Sequence, residues 1–463
     1  MRRKLIIAAV LLAALVLRLG QVARTPYTPI NDARSYLILA SEVAHTGDYS
    51  TSSKPGTGSG GTRGPTALFP PAYPYFLAAI DLLDGHRSDL KAAAGPARVS
   101  QAILGTITVG LIGLIALEAF GGEVALVALV LAALYPVLIE TSAVLLSENL
   151  LIALALAAVY CGLRVRRAAR PYRWIVLTGV FAGLAALTHQ NALVLLPPLA
   201  IAVWSRSGTR ASRARAVGVL ALAIALTVAP WTIRNAVELH SFTPISDQAG
   251  ETLFGTYNAV SAADPRVPYK WRPPHAVTTD RALVDEAPRL REPVWEGRLL
   301  SRALGYIEAH PLSLVSASFH NALQLLELGG SFAWEASAAS IGLQRGTAEI
   351  AVVGFWVCAL LAVLGALTPS ARRAPKWLWL VPILFALSTV WVRAETPRFR
   401  LAIDPFLVLL ASLALANALE RARARLRRAP AGSDAPLPVR AADAQLVEMR
   451  HRLACADGHG RPR

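Results

Sequence analysis

Charged residues are scarce in this sequence. Only 16% of the 463 residues are Asp, Glu, Lys or Arg, whereas an ordinary soluble domain has about 25%. Hydrophobic residues make up 54% of the chain, and its mean hydropathy is +0.45. Several apolar runs approach the ~20 residues that are needed to cross ~30 Å of hydrocarbon. The composition therefore excludes an ordinary soluble protein and predicts an all-α, polytopic transmembrane helical bundle.

Cysteine is almost absent, and the usual metal-binding patterns are missing. Cys161 and Cys358 lie in apolar runs and Cys455 lies near the C-terminus, so no disulfide framework is expected. The first long polar segment contains no Asp-x-Asp. Its "NDA" offers one carboxylate, which lacks the paired oxygens that a hard divalent cation prefers. We expect neither a metal ion nor another cofactor.

Acidic residues are too few to balance the basic ones, and the formal net charge is +16. No nucleic-acid-binding motif accompanies this surplus, so we expect no nucleic-acid partner. The basic residues instead gather in short segments between apolar runs, which is typical of cytoplasmic loops. The surplus charge is therefore explained by membrane topology.

About ten spans are predicted. The first could be a signal peptide, but no clear A-x-A cleavage site follows it, and we interpret it as a retained helix. The sixth is short and contains Pro197 and Pro198, which predict a kink or break. The predicted spans are residues 4–23, 99–119, 123–140, 146–164, 173–188, 190–204, 215–234, 348–367, 376–392 and 401–419.

This topology places every basic cluster on one side, which predicts a cytoplasmic-membrane protein with both termini in the cytoplasm. Two long loops, about 24–98 and 235–347, are then external, and each contains amphipathic stretches that predict interfacial helices. We treat 312–328 as interfacial, because a span there would move the later basic clusters outside. Residues 1–419 form the predicted transmembrane domain, and residues 420–463 form a basic, disordered tail. The clusters contain Arg2, Arg3 and Lys4; Arg164, Arg166, Arg167, Arg170 and Arg173; Arg206, Arg210, Arg213 and Arg215; Arg372, Arg373 and Lys376; and Arg421, Arg423, Arg425, Arg427 and Arg428.

A single acid, Asp32, opens the helical stretch "NDARSYLILASEVAHTGDYS" just beyond the first span. A carboxylate near the outer interface can take a proton from an acceptor hydroxyl and make that oxygen a better nucleophile. Aspartate is also a favoured helix N-cap. The spacing alone leaves both interpretations open.

Three arginines, Arg393, Arg398 and Arg400, lie in "WVRAETPRFRLAIDPF" between the last two predicted spans. Positive charge on the outer side runs against the usual trend, and the guanidinium fork suits a phosphate group. The alternative is that these side chains reach lipid headgroups. We prefer a phosphate site.

Other polar residues lie where predicted spans meet the outside. Arg234 is a further candidate for binding a phosphate, although a cation near a helix C-terminus is equally consistent with its position. An acid near membrane depth, such as Glu148, is costly and is usually paired. The candidate substrate-binding residues are Glu148, Tyr36, Tyr73, Asn235 and Asn258.

The ordered set of "NDARSYLILASEVAHTGDYS", "FPPAYPYFLAAI", "LLSENLLIALAL", "GLAALTHQNALVLLPPLA", "APWTIRN", "FTPISDQAGETLFGTYN", "EAHPLSLV" and "PRFRLAIDPFLVLLA" resembles the GT-C superfamily of membrane glycosyltransferases. Within it, the chain is similar to bacterial relatives of protein mannosyltransferases and of the lipid A aminoarabinose transferase. The resemblance implies that Asp32 is catalytic and that Arg398 and Arg400 bind the lipid phosphate. The family pattern L-T-R-P reads "LTHQ" here, so His189 replaces an arginine.

The resemblance implies inverting transfer of a sugar, hexosyl or pentosyl, from a polyprenyl-phosphate-linked donor to an acceptor hydroxyl on the outer face of the membrane. The acceptor is a glycan, a lipid or a protein, and membrane lipids surround the protein. A transporter or flippase of a lipid-linked or anionic solute is the alternative, although it predicts repeated halves and charges at mid-membrane that the sequence lacks. A non-catalytic membrane scaffold is a third class.

Overall fold

The computed structural model describes residues 2–51, 64–85, 89–206 and 208–428. Within these ranges the chain is helical apart from loops and one short antiparallel hairpin. Its strands are β1 (Ser50–Thr51) and β2 (Gly64–Pro65), with Ser50 opposite Pro65 and Thr51 opposite Gly64. The predicted all-α polytopic bundle is confirmed. The predicted disordered tail lies outside the described residues from position 429 onward.

The α-helices of the first half are α1 (Arg2–Arg24), α2 (Asn31–Thr46), α3 (Ala72–Asp84), α4 (Leu90–Phe120), α5 (Gly122–Leu134), α6 (Pro136–Glu140), α7 (Ser147–Arg164), α8 (Pro171–Thr188), α9 (Leu196–Trp204) and α10 (Arg210–Glu238). Short 3-10 helices cover Thr141–Ala143 and Gln190–Leu195.

The α-helices of the second half are α11 (Ala249–Thr256), α12 (Ala259–Ala262), α13 (Arg281–Asp285), α14 (Glu292–Ala309), α15 (Leu312–Leu325), α16 (Ser331–Ser340), α17 (Arg345–Ala366), α18 (Pro369–Arg373), α19 (Lys376–Val392) and α20 (Asp404–Arg428). The 3-10 helices of this half are Pro274–Ala276, Thr278–Asp280, Ala287–Arg289 and Arg398–Arg400.

An apolar helix occupies each of the ten predicted span positions, but not all ten reach full spanning length. Among the described residues, seven helices are long and apolar enough to cross a membrane: α1, α4, α7, α8, α10, α17 and α20. An eighth is the bent pair of α5 and the segment Pro136–Ala143. The segments Gln190–Trp204 and Lys376–Val392 are shorter apolar helices.

Proline explains the two interrupted spans. Tyr135 is extended, and Pro136 begins α6 because a proline lacks the N–H that a helix interior needs. The axis bends by 56° there, a break that the continuous 123–140 prediction missed. In the other, a 3-10 segment changes to α-helix at Leu196, directly before Pro197 and Pro198, and the predicted kink or break at these prolines stays a prediction. The bend at Pro136 leads the chain into α7, which begins at the candidate site.

The two long loops contain the predicted helices. The first contains α2 and α3, each ended by a left-handed glycine, Gly47 or Gly85. In the second, α11 packs against α14 around Phe254, Trp295 and Leu299. The predicted interfacial segment 312–328 forms α15, whose 14 residues are too few to cross a bilayer. Its interfacial placement stays a prediction.

The chain divides into two compact units, Met1–Ala416 and Asn417–Arg463, so that α20 runs across the boundary. The first unit contains the large apolar core and every candidate site residue. Of the second unit, the structure describes residues 417–428, which are helical. The predicted domain boundary at residue 419 stays a prediction.

Candidate active site

Asp32 is the second residue of α2 and does not cap it. The residue before the helix is Ile30, which makes no side-chain cap. Asn31 has a positive φ of 48°, which asparagine tolerates, and its side-chain Nδ2 donates to the Ser340 carbonyl at 2.8 Å. This contact joins the start of α2 to the end of α16. The carboxylate of Asp32 is therefore free of a capping bond and turns to another partner.

That partner is Arg398, whose guanidinium lies between two carboxylates. Its Nη1 is 2.7 Å from Asp32 Oδ2, and its Nε is 2.6 Å from Glu148 Oε1. The Arg398 side chain is 9% exposed and that of Glu148 is 3% exposed, whereas that of Asp32 is 30% exposed. Asp32 is thus the member of this trio that a substrate can reach. We call these three residues the ion-pair trio.

Polar and aromatic side chains hold the trio in place. The Tyr36 hydroxyl lies 3.2 Å from Ser147 Oγ, which in turn donates to Glu148 Oε2 at 3.2 Å. Tyr73 packs edge-on against Tyr36 with ring centroids 4.9 Å apart, and its hydroxyl accepts a hydrogen bond from Gln101. Tyr36 therefore borders the trio, whereas Tyr73 is fully buried behind it.

His189 replaces the arginine of the family pattern and lies beside the same trio. Its Nε2 is 4.0 Å from Glu148 Oε1, and its ring is edge-on to Phe399 at 6.2 Å. Burial lowers the pKa of His189 more than the Glu148 charge raises it. The imidazole is therefore neutral at pH 7, and it does not supply the fixed positive charge of an arginine.

The pKa of Asp32 lies below its ordinary value. Burial raises it, but the positive charges of Arg398 and Arg393 and the hydrogen bond from Arg398 outweigh that effect. Asp32 is therefore ionised at neutral pH and is able to accept a proton. Its basicity is reduced for as long as the guanidinium faces it.

Arg393 approaches the trio from the end of α19. Its Nη2 is 2.8 Å from Glu395, and its guanidinium lies 3.9 Å from the ring centroid of Trp271. Its charge contributes to the pKa shifts of Asp32 and His189, which places it in the same electrostatic environment. Lys270 lies nearby, with a pKa that burial lowers and the charge of Glu395 raises. Sequence reasoning missed Lys270 and Trp271, because one lysine and one tryptophan in a long loop form no recognisable pattern.

Arg400 does not join this site. It is 1% exposed and forms ion pairs with Glu327 at 2.6 Å and with Asp404 at 3.1 Å. Its guanidinium also lies 3.7 Å from the Phe355 ring centroid. Glu327 accepts a further hydrogen bond from Thr396 at 2.9 Å. This second cluster anchors the loop that presents Arg398, and both acids that pair with Arg400 lie outside the ion-pair trio.

Three other predicted residues make structural hydrogen bonds. Arg234 donates to the carbonyls of Thr66 and Tyr49 at 2.8 and 2.5 Å, and so clamps the β1–β2 hairpin to α10. The Asn235 amide donates to the Thr243 carbonyl at 2.8 Å. Asn258 caps α12 by accepting from the Ser261 N–H at 2.8 Å. Among the described residues, none of the three forms a hydrogen bond or an ion pair with the ion-pair trio.

Sequence reasoning also missed Glu251, in the first turn of α11. It is 4% exposed, and its charge interacts with those of Asp32 and Arg393. Its N–H donates to Glu296 Oε2 at 2.8 Å, and its carbonyl accepts from Trp271 Nε1 at 3.2 Å. An isolated glutamate in "DQAGETLFGTYN" gives no sequence signal of such a position.

Within the described ranges, no group of three or more His, Cys, Asp or Glu side chains is arranged to hold a metal ion. The expectation that no metal or cofactor is needed stays a prediction.

Comparison with known proteins identifies the fold. A family model for dolichyl-phosphate-mannose-protein mannosyltransferase matches residues 69–233, less than half of the chain. The archaeal oligosaccharyltransferase AglB from Archaeoglobus fulgidus, in complex with an inhibitory peptide and a dolichol-phosphate, superposes with a TM-score of 0.56 and 12% identity. The alignment covers 97% of this chain and 54% of that one. The chain therefore shares its fold with this oligosaccharyltransferase.

Two further structures resemble this chain to different degrees. The apo form of the same oligosaccharyltransferase gives a TM-score of 0.54 at 16% identity, over 96% of this chain and 54% of that one. ArnT from Cupriavidus metallidurans bound to undecaprenyl phosphate gives a TM-score of 0.42 at 15% identity. The alignment covers 90% of this chain and 79% of that one, and the likeness is only loose. The chain spans about half the length of the AglB structures. No curated protein matches it by sequence.

Proposed function

We propose that this protein transfers a sugar from a polyprenyl-phosphate-linked donor to an acceptor hydroxyl, with inversion at the anomeric carbon. The observation that carries the proposal is the 2.7 Å contact between Asp32 and Arg398. It brings together a carboxylate that can act as a base and a cation that can bind phosphate, at the start of the first long loop of a GT-C fold. Transfer of this kind requires both groups at one place.

Arg398 and Arg393 are the proposed ligands of the donor phosphate. Both guanidiniums lie near Asp32, and Arg393 is held over Trp271, so its plane is fixed before the donor arrives. As the bond between the anomeric carbon and the phosphate oxygen breaks, negative charge grows on the leaving lipid phosphate. Fixed cations stabilise that charge without having to reorganise.

Asp32 is the proposed base. In the resting site its pKa is held low by Arg398 and Arg393, after burial has raised it. An arriving phosphate shares those positive charges, so the pKa of Asp32 rises and the carboxylate becomes a stronger base. It then takes the acceptor proton as the acceptor oxygen attacks the anomeric carbon from the face opposite the phosphate. Donor binding thus activates the base.

The other predicted residues take supporting roles. Glu148 keeps Arg398 in place, and Tyr36 reaches Glu148 through Ser147. Arg400 fixes the loop that carries Arg398. Tyr73, Arg234, Asn235 and Asn258 hold the surrounding segments and need not touch the substrate.

We further propose that the site opens to the outer face of the cytoplasmic membrane, with both termini in the cytoplasm. The distribution of basic clusters supports this orientation. Cysteines introduced at exposed Asp48 and exposed Arg372 test it through labelling of intact cells with a membrane-impermeant thiol reagent. Labelling at Asp48 alone supports the orientation, and labelling at Arg372 alone reverses it.

The activity is tested with the full chain in vesicles that contain a radiolabelled polyprenyl-phosphate sugar and an extract of envelope acceptors. Transfer moves the label from the lipid fraction to a glycan, lipid or protein fraction. Label that crosses the bilayer while still attached to its lipid indicates a flippase and contradicts the proposal.

A further inference from the structure

Glu251 is a largely buried acid whose carboxyl makes no hydrogen bond within the described part of the chain, and the mechanism above does not use it. It is 4% exposed. Among the described residues its carboxyl oxygens make no hydrogen bond, whereas both backbone polar groups do. The carboxyl oxygens keep slight contact with solvent, so a ligand can reach them, and an acid at such a nearly buried position calls for an explanation. A ligand that supplies the missing partner is one explanation.

The backbone around Glu251 is held rigidly. Its N–H is bound by the Glu296 carboxylate and its carbonyl by the Trp271 indole, at 2.8 and 3.2 Å. The next turn of α11 is equally constrained, because a Cβ on Gly255 would lie 2.4 Å from the Arg272 carbonyl oxygen. The side chain of Glu251 is thus presented from a fixed point beside the segment that carries Trp271.

The charges around Glu251 are those of the proposed donor site. The charges of Asp32, Arg393 and Glu292 all shift its pKa. Trp271 joins Glu251 to Arg393, because its indole donates to the Glu251 carbonyl at 3.2 Å and its ring centroid lies 3.9 Å from the Arg393 guanidinium. Arg393 already forms its ion pair with Glu395 at 2.8 Å, so it does not neutralise Glu251 by direct pairing. Trp271, from the segment between α12 and α13, contributes no charge.

We propose, as an extension that rests on the proposed function, that Glu251 works as a neutral carboxylic acid that donates its O–H to an oxygen of the donor phosphate beside Arg393. A neutral carboxylic acid supplies a hydrogen bond to an anion, whereas a carboxylate would repel it. No proton is transferred in this contact. Glu251 is therefore a binding residue, and the lipid phosphodiester is its ligand.

The protonation state follows from the same surroundings. The pKa of Glu251 is raised to about 8, chiefly by burial and also by the charges of Asp32 and Glu292, which outweigh the opposing charge of Arg393. At pH 7 the group is mostly protonated, and at pH 9 it is mostly ionised. If only the protonated form binds, the apparent Kd rises about tenfold between these two pH values.

The probe is farnesyl methyl phosphodiester, which carries one negative charge throughout this range, so that any titration belongs to the protein. Its Kd is measured for the full chain in detergent between pH 6.5 and 9.5. Between pH 7 and pH 9 we expect about a tenfold rise for wild type and for the exposed control Glu308→Gln, and a change of less than about twofold for Glu251→Gln. Glutamine keeps an N–H donor and cannot ionise.

Three results overturn the inference: a flat wild-type profile, an equal rise in Glu251→Gln, and no binding at any pH. An equal rise in the variant would assign the titration to another group, such as Lys270. Glu251→Ala, checked for an unchanged melting temperature, should weaken binding about tenfold at pH 7 because it removes the donor. Unchanged binding in that variant also overturns the inference.

The transfer assay separates this inference from the proposed function. If binding weakens at alkaline pH only when Glu251 is present, but wild type transfers no sugar, the inference is supported and the proposed function is contradicted. Sugar transfer together with binding that does not respond to pH contradicts the inference and leaves the function standing.

Discussion

The substitution Asp32→Asn tests the proposed base most directly. It replaces one carboxylate oxygen with an amide of similar size, and Arg398 keeps its 2.6 Å contact with Glu148. The variant also keeps an oxygen that can accept from Arg398. The fold should therefore survive, with a melting temperature within about 3 °C of wild type, since a partly exposed ion pair contributes about 1 kcal/mol or less.

The chemical effect should be much larger than the structural one. A positioned general base contributes about 10²–10⁴ to the rate, which corresponds to about 2.7–5.4 kcal/mol of barrier. We expect kcat to fall by this factor. The donor KM should change by less than about threefold, because the phosphate ligands Arg393 and Arg398 remain.

The assay follows the release of polyprenyl phosphate from a radiolabelled donor in membranes that contain native acceptors. Asp48→Asn is the matched control, because Asp48 is an exposed acid in the same segment and its substitution should leave the rate unchanged. An Asp32→Asn rate within about threefold of wild type would refute Asp32 as the base.

Three further substitutions or conditions give distinct outcomes. Arg398→Lys should lower kcat/KM about a hundredfold, because a single ammonium cannot bridge Asp32 and Glu148 as the guanidinium does; activity equal to wild type would contradict the phosphate role. Arg400→Gln should destabilise the protein by about 3–5 kcal/mol, because it leaves buried Glu327 and Asp404 without their cation, and thermal unfolding followed by tryptophan fluorescence measures the loss. Because the folded-state pKa of Asp32 is lowered, its stabilising effect is full above its unfolded pKa of about 3.9 and is lost as the pH falls through the folded value. The difference in melting temperature between wild type and Asp32→Asn should therefore stay constant from pH 7 to 5 and shrink below about pH 4, whereas a difference that disappears by pH 6 would contradict this reasoning.

The transmembrane part of the fold was predictable because its signals are local. Apolar length and basic flanks located a helix at each of the ten predicted span positions. These signals missed one feature, the break in the third span, and its cause is also local. Pro136 breaks the third span, and one proline near the end of an apolar run does not reveal whether a helix bends or simply ends. The shorter helices α9 and α19 show that length alone does not set the span count.

The site was only half predictable because its residues are paired across long stretches of chain. The position of Asp32 and the three arginines of the 393–400 loop could be read from their place in the topology. Which arginine meets Asp32 could not, because Arg398 and Arg400 are two residues apart in sequence and lie in different ion-pair clusters. Glu251 could not be found at all, since its importance comes from burial and from neighbours on other elements.

The balance of charge at the site explains why a neutral Glu251 matters. Arg393 and Arg398 face Asp32, Glu148 and Glu395, so the resting site has no surplus of positive charge apart from what Lys270 supplies. A donor phosphate adds one more negative charge to this environment. If Glu251 were also ionised, the phosphate would meet a net negative site with little water to screen it, and its binding would be opposed. A protonated Glu251 removes that repulsion and supplies a hydrogen bond, while Asp32 stays ionised beside Arg398. Burial dominates the pKa of Glu251 and keeps it protonated, whereas contact with arginine dominates the pKa of Asp32 and keeps it ionised. The two acids can therefore serve opposite purposes in one site.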